Sequence, residues 1–212
     1  SENGRINVKR IIDKVLNELN IVGVDRILLD LGLSSFQLDV SGRGFSFNKD
    51  EPLLMTMKKN PSKSDLTARE IVNNWEEKVL ADIFYGFGEE KYARKIARAI
   101  IEERKKKPIE TTFDLVKIVE ESIGKFYKGK KINPATKVFQ ALRIAVNGEL
   151  NNLEKVIEKG FHRLTTSGRI AIISFHSLED RIVKKAFVEL KESGLAKIIT
   201  KKPLIPTNFE IK

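Results

Sequence analysis

Ile27-Leu28-Leu29-Asp30-Leu31-Gly32-Leu33-Ser34-Ser35-Phe36-Gln37-Leu38-Asp39 is the stretch whose reading decides the fold. An apolar run that stops at an acid, a glycine and two serines reads as a buried strand followed by a tight turn. In open α/β sheets the carboxyl ends of strands are where ligands are held. Upstream, Ile11, Ile12, Val15, Leu16 and Leu19 recur at helical spacing over residues 9–20, and Gly23 separates that helix from the strand Ile27–Leu31. A second apolar run, Ile170-Ala171-Ile172-Ile173, lies between Gly168 and Ser174 and reads as another buried strand of a parallel sheet. Ser177 and Asp180 then suggest a capping pair for a helix with Leu178, Ile182, Val183, Ala186, Phe187 and Leu190 along one stripe. Lys197-Ile198-Ile199-Thr200 suggests one more strand. The expected fold class is therefore α/β, a partial doubly wound sheet assembled from residues 1–42 and 138–212.

Between these pieces the pattern becomes helical. Thr67-Ala68-Arg69-Glu70 has the form of a capping box, residues 89–106 form a basic amphipathic helix stopped by Pro108, and Phe113, Val116, Ile118 and Val119 mark another helix. Residues 43–137 are thus expected to form a helical insertion. From Val138 onward, Phe139, Leu142, Val146, Leu150, Leu153 and Ile157 predict one long returning helix.

The chain has 212 residues, 41% hydrophobic and 32% charged, enough for one sizeable core or two small domains. Its formal net charge of +10 favours a polyanionic partner, nucleic acid first. Arg94, Lys95, Arg98 and residues 104–107, then Lys125, Lys128, Lys130, Lys131 and Lys137, give two basic clusters flanking the insertion. They predict a phosphate-contacting surface supplying affinity, not sequence choice. The absence of cysteine excludes disulfides and thiolate metal sites, and His162 and His176 alone argue against a histidine-built metal centre. No metal is expected. No apolar run reaches the roughly 20 residues of a membrane span and no signal peptide opens the sequence, so a cytoplasmic protein without membrane contact is expected, or one in an organellar matrix if the source is eukaryotic.

Candidate site residues cluster at the two strand ends. Asp30 is either a ligand-binding or base-orienting acid or a carboxylate capping the next turn. Ser34 and Ser35 either cap that turn or present hydroxyls to a ligand, and Gln37 offers an amide suited to a nucleobase or amino acid, or points to solvent. Arg43, Phe45 and Phe47 pair a guanidinium with two rings, a set that stacks bases and holds phosphates, although rings at this spacing also suit a core or a short strand. His176 ends the second strand, either as a substrate contact or as a structural hydrogen-bonding residue. No G-x-G-x-x-G occurs: Gly42/Gly44 and Gly86/Gly88 lack the third glycine and the preceding strand.

These residues fall in blocks with a specific resemblance. The matching stretches are residues 27–35 with Gln37-Leu38-Asp39, Arg43-Gly44-Phe45-Ser46-Phe47, Phe87-Gly88-Glu89-Glu90 with Ala93-Arg94-Lys95-Ile96-Ala97, Asn133-Pro134-Ala135-Thr136 through Asn147, and Ser174-Phe175-His176-Ser177-Leu178-Glu179-Asp180-Arg181. In this order they resemble the 16S ribosomal RNA (cytosine-N4) methyltransferase family (RsmH/MraW). The resemblance implies a partial Rossmann-like class I methyltransferase sheet with an inserted RNA-recognition domain. It also implies S-adenosyl-L-methionine as methyl donor and a cytidine of small-subunit ribosomal RNA, in the small ribosomal subunit, as substrate. Family cofactor contacts fall on Asp30, on Gln37 and, after Asn7, on Val8, where the family usually has Phe. Asp30, Ser34 and Ser35 become candidates for the catalytic proton acceptor, and Arg43, Phe45, Phe47, Asn133, His176 and Arg181 for substrate binding.

There are departures. The family's glycine-rich loop, its ribose-binding acid and its last basic strand have no counterpart between Ser1 and Lys212, and Pro52-Leu53-Leu54-Met55-Thr56-Met57-Lys58 lacks two family acids and an arginine. Asn133 stands where a histidine is usual and Gly148 where an acid is usual. These implications leave a second reading, a non-catalytic RNA- or ribosome-binding relative, and a third, a basic scaffold that binds protein. A partial sheet leaves strand edges uncovered, and a homodimer or strand exchange would cover them.

Overall fold

A computed structural model describes residues 8–207, with side chains from residue 13 onward. The chain divides into two compact units, one of residues 32–151 and one of residues 8–31 with 152–207.

The second unit carries the sheet. Helix α1 (Val8–Glu18) leads through Asn20, at positive φ, to strand β1 (Val24–Asp30). In the first unit the chain forms α2 (Ser35–Asp39), α3 (Ala68–Asn74), α4 (Glu77–Gly88), α5 (Ala93–Arg104), α6 (Thr112–Ile123) with a short 3-10 turn at Gly124–Phe126, and α7 (Thr136–Asn147). Helix α8 (Glu149–Phe161) leads back to strand β2 (Leu164–Ile173) and to α9 (Ser177–Glu192). β1 and β2 pair in parallel, Asp30 opposite Ile173, with an irregularity between Val24 and Arg26. This mixed α/β architecture with a parallel sheet agrees with the fold class expected from sequence.

The strands are less enclosed than their apolar runs predicted. Ile27, Leu29, Ile170 and Ile172 are half-buried, whereas Leu28 and Ile173, alternating with them, are 67% and 45% exposed. Side chains of period two face opposite sides of the sheet, and one side is the covered one. On that side Gly160 of α8 approaches Ile27, whose Cδ1 would lie 3.4 Å from an added Cβ. No strand forms at 197–200 among the described residues, because its apolar residues find no ladder partner there.

The helical unit holds the larger core. Phe84, Leu53, Met55, Ile71, Leu80, Ile96, Ile100, Leu115 and Leu142 are fully buried. Each such side chain contributes about 1.5–3 kcal/mol by leaving water. Helix α7 belongs to this core through Val138, Phe139 and Leu142, so the compact unit extends beyond the 43–137 segment read from sequence.

The expected single helix from Val138 is two. Gly148 has φ 59°, a left-handed conformation that ends α7, and its amide donates to the Ile144 carbonyl. Glycine alone takes that conformation without a Cβ penalty, so the hydrophobic period continues across a break in the backbone.

Candidate active site

In the second unit the parallel register sets the two strand ends side by side. Asp30 pairs with Ile173, and the Leu31 amide continues the ladder to the Ile173 carbonyl at 3.2 Å. The turn leaving β1 and the segment Ser174-Phe175-His176 therefore emerge from one end of the sheet, where this fold class holds ligands. Asp30 is exposed there.

His176 has a clear local role. It is the N-cap of α9, and its Nδ1 accepts from the Glu179 amide at 3.4 Å. The cap is thus His176, one residue before the Ser177 expected from sequence. An imidazole nitrogen here takes the place of the usual hydroxyl or carboxylate at a helix start. Glu179, buried to 4% exposure, reaches back so that its Oε2 accepts from the Phe175 amide at 2.8 Å. The pair fixes how the chain turns from β2 into α9. Arg181 lies on the exposed side of the same helix's first turns.

In the helical unit, Ser34 and Gln37 form a capping box. Ser34 Oγ accepts from the Gln37 amide at 3.3 Å, and Gln37 Oε1 accepts from the Ser34 amide at 3.0 Å and from its hydroxyl at 3.2 Å. This sets the half-buried Gln37 in a fixed rotamer with its carbonyl oxygen occupied, which leaves its amide NH2 as the group for a ligand. Ser35 and Phe36 are exposed beside it. Val8 opens α1, and its side chain lies outside the described residues.

Arg43, Phe45 and Phe47 are tied into the scaffold. Arg43 donates to the carbonyls of Thr56 at 3.0 Å and Lys58 at 2.9 Å and lies 5.3 Å from the Phe45 ring centroid. Phe45, expected among the stacking candidates, is 6% exposed and belongs to the hydrophobic core, so its ring is not presented to a base. The half-buried Phe47 meets Phe139 edge-on at 5.7 Å. Neither Phe belongs to a strand. Asn133 starts α7 from an Asx-type turn, its Oδ1 accepting from the Ala135 amide at 2.7 Å, and it lines an open cleft with Lys125, Lys128, Lys130 and Lys131.

Sequence reading gave no structural weight to Glu90 and Asn147. Glu90 is fully buried, and its carboxylate accepts from the Tyr92 amide at 2.8 Å and from the Tyr127 hydroxyl at 2.5 Å. Asn147 donates to the carbonyls of Met55 at 2.7 Å and Arg143 at 2.8 Å and accepts from the Met57 amide at 2.8 Å. For Asn147 the signal available was a polar residue at the end of an otherwise apolar helical stripe, and burial requires such a residue to be bonded; Glu90, in the turn after α4, gave no such signal.

The model of the MraW methylase family matches residues 5–212. This chain belongs to that family. The relatives it matches include a "Ribosomal RNA small subunit methyltransferase H" from Clostridium botulinum (strain Loch Maree / Type A3), 46% identical over 94% of this chain and 68% of the relative. Proteins of the same name from Sulfurihydrogenibium azorense, 48% identical over 95% of the chain and 67% of the relative, and Desulfotalea psychrophila, 50% identical over 89% and 62%, are similar in the same way. Among the described residues no helix is long and apolar enough to cross a membrane.

The exposed carboxylate at the end of β1 and the pre-set amide of Gln37 are groups of the kind that hold hydroxyls, an ammonium or a purine edge. They fit an S-adenosyl-L-methionine type of methyl donor in chemical kind.

Proposed function

We propose that this protein methylates the exocyclic N4 amine of a cytidine in small-subunit ribosomal RNA, using S-adenosyl-L-methionine, in the cytoplasm. The observation that carries the reading is the register of the two strands. Asp30 opposite Ile173 sets two family blocks, the one ending in Asp30 and the one starting at Ser174, at one end of a parallel sheet. Membership of the family and the names of the relatives support it.

When bound, S-adenosyl-L-methionine would supply an electrophilic methyl group, its sulfonium becoming a neutral thioether on transfer. Asp30 and Gln37 would hold and orient it. The cytosine amine is a weak nucleophile because its lone pair is delocalised into the ring. An acceptor beside it localises that pair, and the same acceptor takes the one proton released on transfer. The exposed Asp30 carboxylate, the hydroxyls of Ser34 and Ser35 and the neighbouring backbone carbonyls are the groups for this work. Holding amine and methyl in line supplies much of the remaining rate. The target base leaves its stack to react, and Arg43, Phe47, Asn133, His176 and Arg181 are the residues proposed to receive the RNA around it.

The test is calorimetric titration of S-adenosyl-L-methionine into the full product of the gene, with methyl transfer to small-subunit ribosomal RNA read as N4-methylcytidine after nucleoside digestion. Asp30→Asn and Gln37→Ala should each weaken donor binding about tenfold or more, the loss expected when a bonded polar group is removed. Full binding and full transfer in both variants would remove these residues from the site. Absence of donor binding by the unaltered protein would favour a non-catalytic RNA-binding relative.

A further inference from the structure

Most of the basic residues that sequence groups into two clusters, together with Lys91 beside them, are sorted by the fold into two kinds. One kind is tied down. Arg104 donates to the carbonyls of Val72 at 2.9 Å and Trp75 at 2.7 Å. Lys106 pairs with Glu103 at 2.5 Å, Lys107 with Asp114 at 2.7 Å and Arg98 with Glu77 at 3.7 Å.

The other kind gathers on an aromatic stack. The rings of Tyr92 and Phe126 lie 4.4 Å apart and nearly parallel, with Tyr127 edge-on to Tyr92 at 6.5 Å. Lys91 sits 4.9 Å from the Tyr92 centroid and Lys130 4.4 Å from that of Tyr127. Lys95 and Lys125 share the Phe126 ring, at 4.9 and 5.2 Å. Lys128 and Lys131 line the adjoining open cleft of about 620 Å³, whose one acid is Glu120.

All six lysines are exposed, and among the described residues the ion pairs of this unit, which also include Lys58–Asp65, Arg69–Glu110, Lys117–Glu121 and Arg143–Glu149, leave them out. The acid nearest in sequence, Glu90, is buried and spent on Tyr127 and Tyr92. Two ammoniums over one ring repel each other, and an anion bridging them relieves that repulsion. The rings restrict where the ammoniums sit, so less freedom is lost when an anion arrives.

We infer that the ammoniums of Lys91, Lys95, Lys125 and Lys130, arrayed on the Tyr92, Phe126 and Tyr127 rings, together with those of Lys128 and Lys131 in the adjoining cleft, form a docking site for the sugar–phosphate backbone of RNA. The inference rests on the proposed RNA substrate and assigns where that RNA is held. The set contains no arginine fork of the kind that reads planar carboxylates in pairs, and lysine point charges suit a run of phosphates. It provides affinity and orientation without choosing a base.

The test is fluorescence anisotropy of a fluorescein-labelled RNA hairpin with the full protein across a salt series. The double variant Lys95→Gln, Lys125→Gln should bind about tenfold or more weakly at low salt. Its slope of log affinity against log salt should shrink by roughly 1.5 to 2, two phosphate contacts' worth. Phe126→Leu, which keeps every charge, should lose less affinity and keep the slope. Lys184→Gln, Lys185→Gln on α9 should match the unaltered protein. Equal affinity and slope for the Lys95/Lys125 variant would overturn the inference, as would an equal loss of binding to poly-glutamate, which would mark an acidic-protein site. Normal RNA binding without donor binding would overturn the proposed methyl transfer and leave this surface standing. Failure of the unaltered protein to bind the hairpin at any salt would overturn both.

Discussion

The Tyr127 hydroxyl donates to Glu90 Oε2 at 2.5 Å, and both side chains are buried in the helical unit. Burial, and then this bond, hold the Tyr127 phenol above its ordinary value. A group whose folded value is raised contributes stability in full below its unfolded value and loses it as pH rises. The native state should therefore weaken as pH climbs past about 10, the free tyrosine value. Tyr127→Phe leaves a buried carboxylate short of one donor and should cost about 1–3 kcal/mol at neutral pH. The checks are urea midpoints at pH 7 and pH 10.5. The variant should start lower and lose less between the two.

Asn147 bonds both sides of the Met55–Met57 turn, where Met55 is buried at φ 53°. A non-glycine residue in that region is held there by its surroundings. Asn147→Ala strips the partners from a buried carbonyl and amide and should destabilise by about 2–4 kcal/mol, at one to two such losses. Chemical denaturation measures this directly, and a change under 0.5 kcal/mol would show that the turn holds itself.

Helices α4 and α7 meet through Gly88. A Cβ there would lie 2.5 Å from the Lys137 carbonyl oxygen and 3.3 Å from the Ala141 Cβ. Gly88→Ala must push the helices apart, stretching the bond from Gln140 Nε2 to the Phe87 carbonyl, now 3.0 Å. The expected cost is about 1–3 kcal/mol, as for overpacking elsewhere, read as a lowered Tm. Gly86 on the same helix has open space around it, so Gly86→Ala should be neutral or slightly stabilising.

Asp114 closes the capping box at the start of α6 with Thr111. Its hydrogen bond with Lys107, and then those from the Glu110 and Thr111 amides, hold its carboxyl below the ordinary aspartate value. The sign is the reverse of that for Tyr127. This stabilisation is complete above the unfolded value near 3.9 and drains away as pH falls below it. Asp114→Asn should lower Tm at pH 7, and the gap to the unaltered protein should narrow as pH falls below that value. A constant difference across that range would mean the effect is not ionic.

Much of the fold was legible in local pattern. The apolar runs ending at Asp30 and Ile173, the helical stripes and the Thr67 N-cap depend on neighbours in sequence, and the structure contains them. What stayed hidden depends on contacts far along the chain or on a single dihedral. The apolar period through Leu142, Val146 and Leu150 carries no trace of the turn taken at Gly148. Lys197-Ile198-Ile199-Thr200 has strand composition, but a strand exists only where a ladder partner is in reach. His176 as a cap is rare enough that Ser177 was the better guess. At the candidate site, Asp30 and the His176 segment were legible as strand ends, whereas the core burial of Phe45 was decided by residues that the fold gathers from elsewhere in the chain. The basic clusters looked alike because sequence does not show which acids the fold brings to Arg98 and Lys107 and withholds from Lys95 and Lys125.

The bond from Thr165 to Asp25 joins residues 140 positions apart, and everything between them is loop as far as the two-stranded ladder is concerned. Closing so long a loop as an unstructured chain carries a large entropic penalty, and contacts of high sequence separation form slowly. The helices from α3 to α7 meet over shorter separations, α4 with α5 and α5 with α6 being neighbours in sequence, and they shorten that loop when they form. Refolding should therefore proceed from the inside outward. In pulsed hydrogen exchange, amides of α4, α5 and α6 should gain protection before those of β1 and β2, which makes the ladder the last part of this chain to be secured.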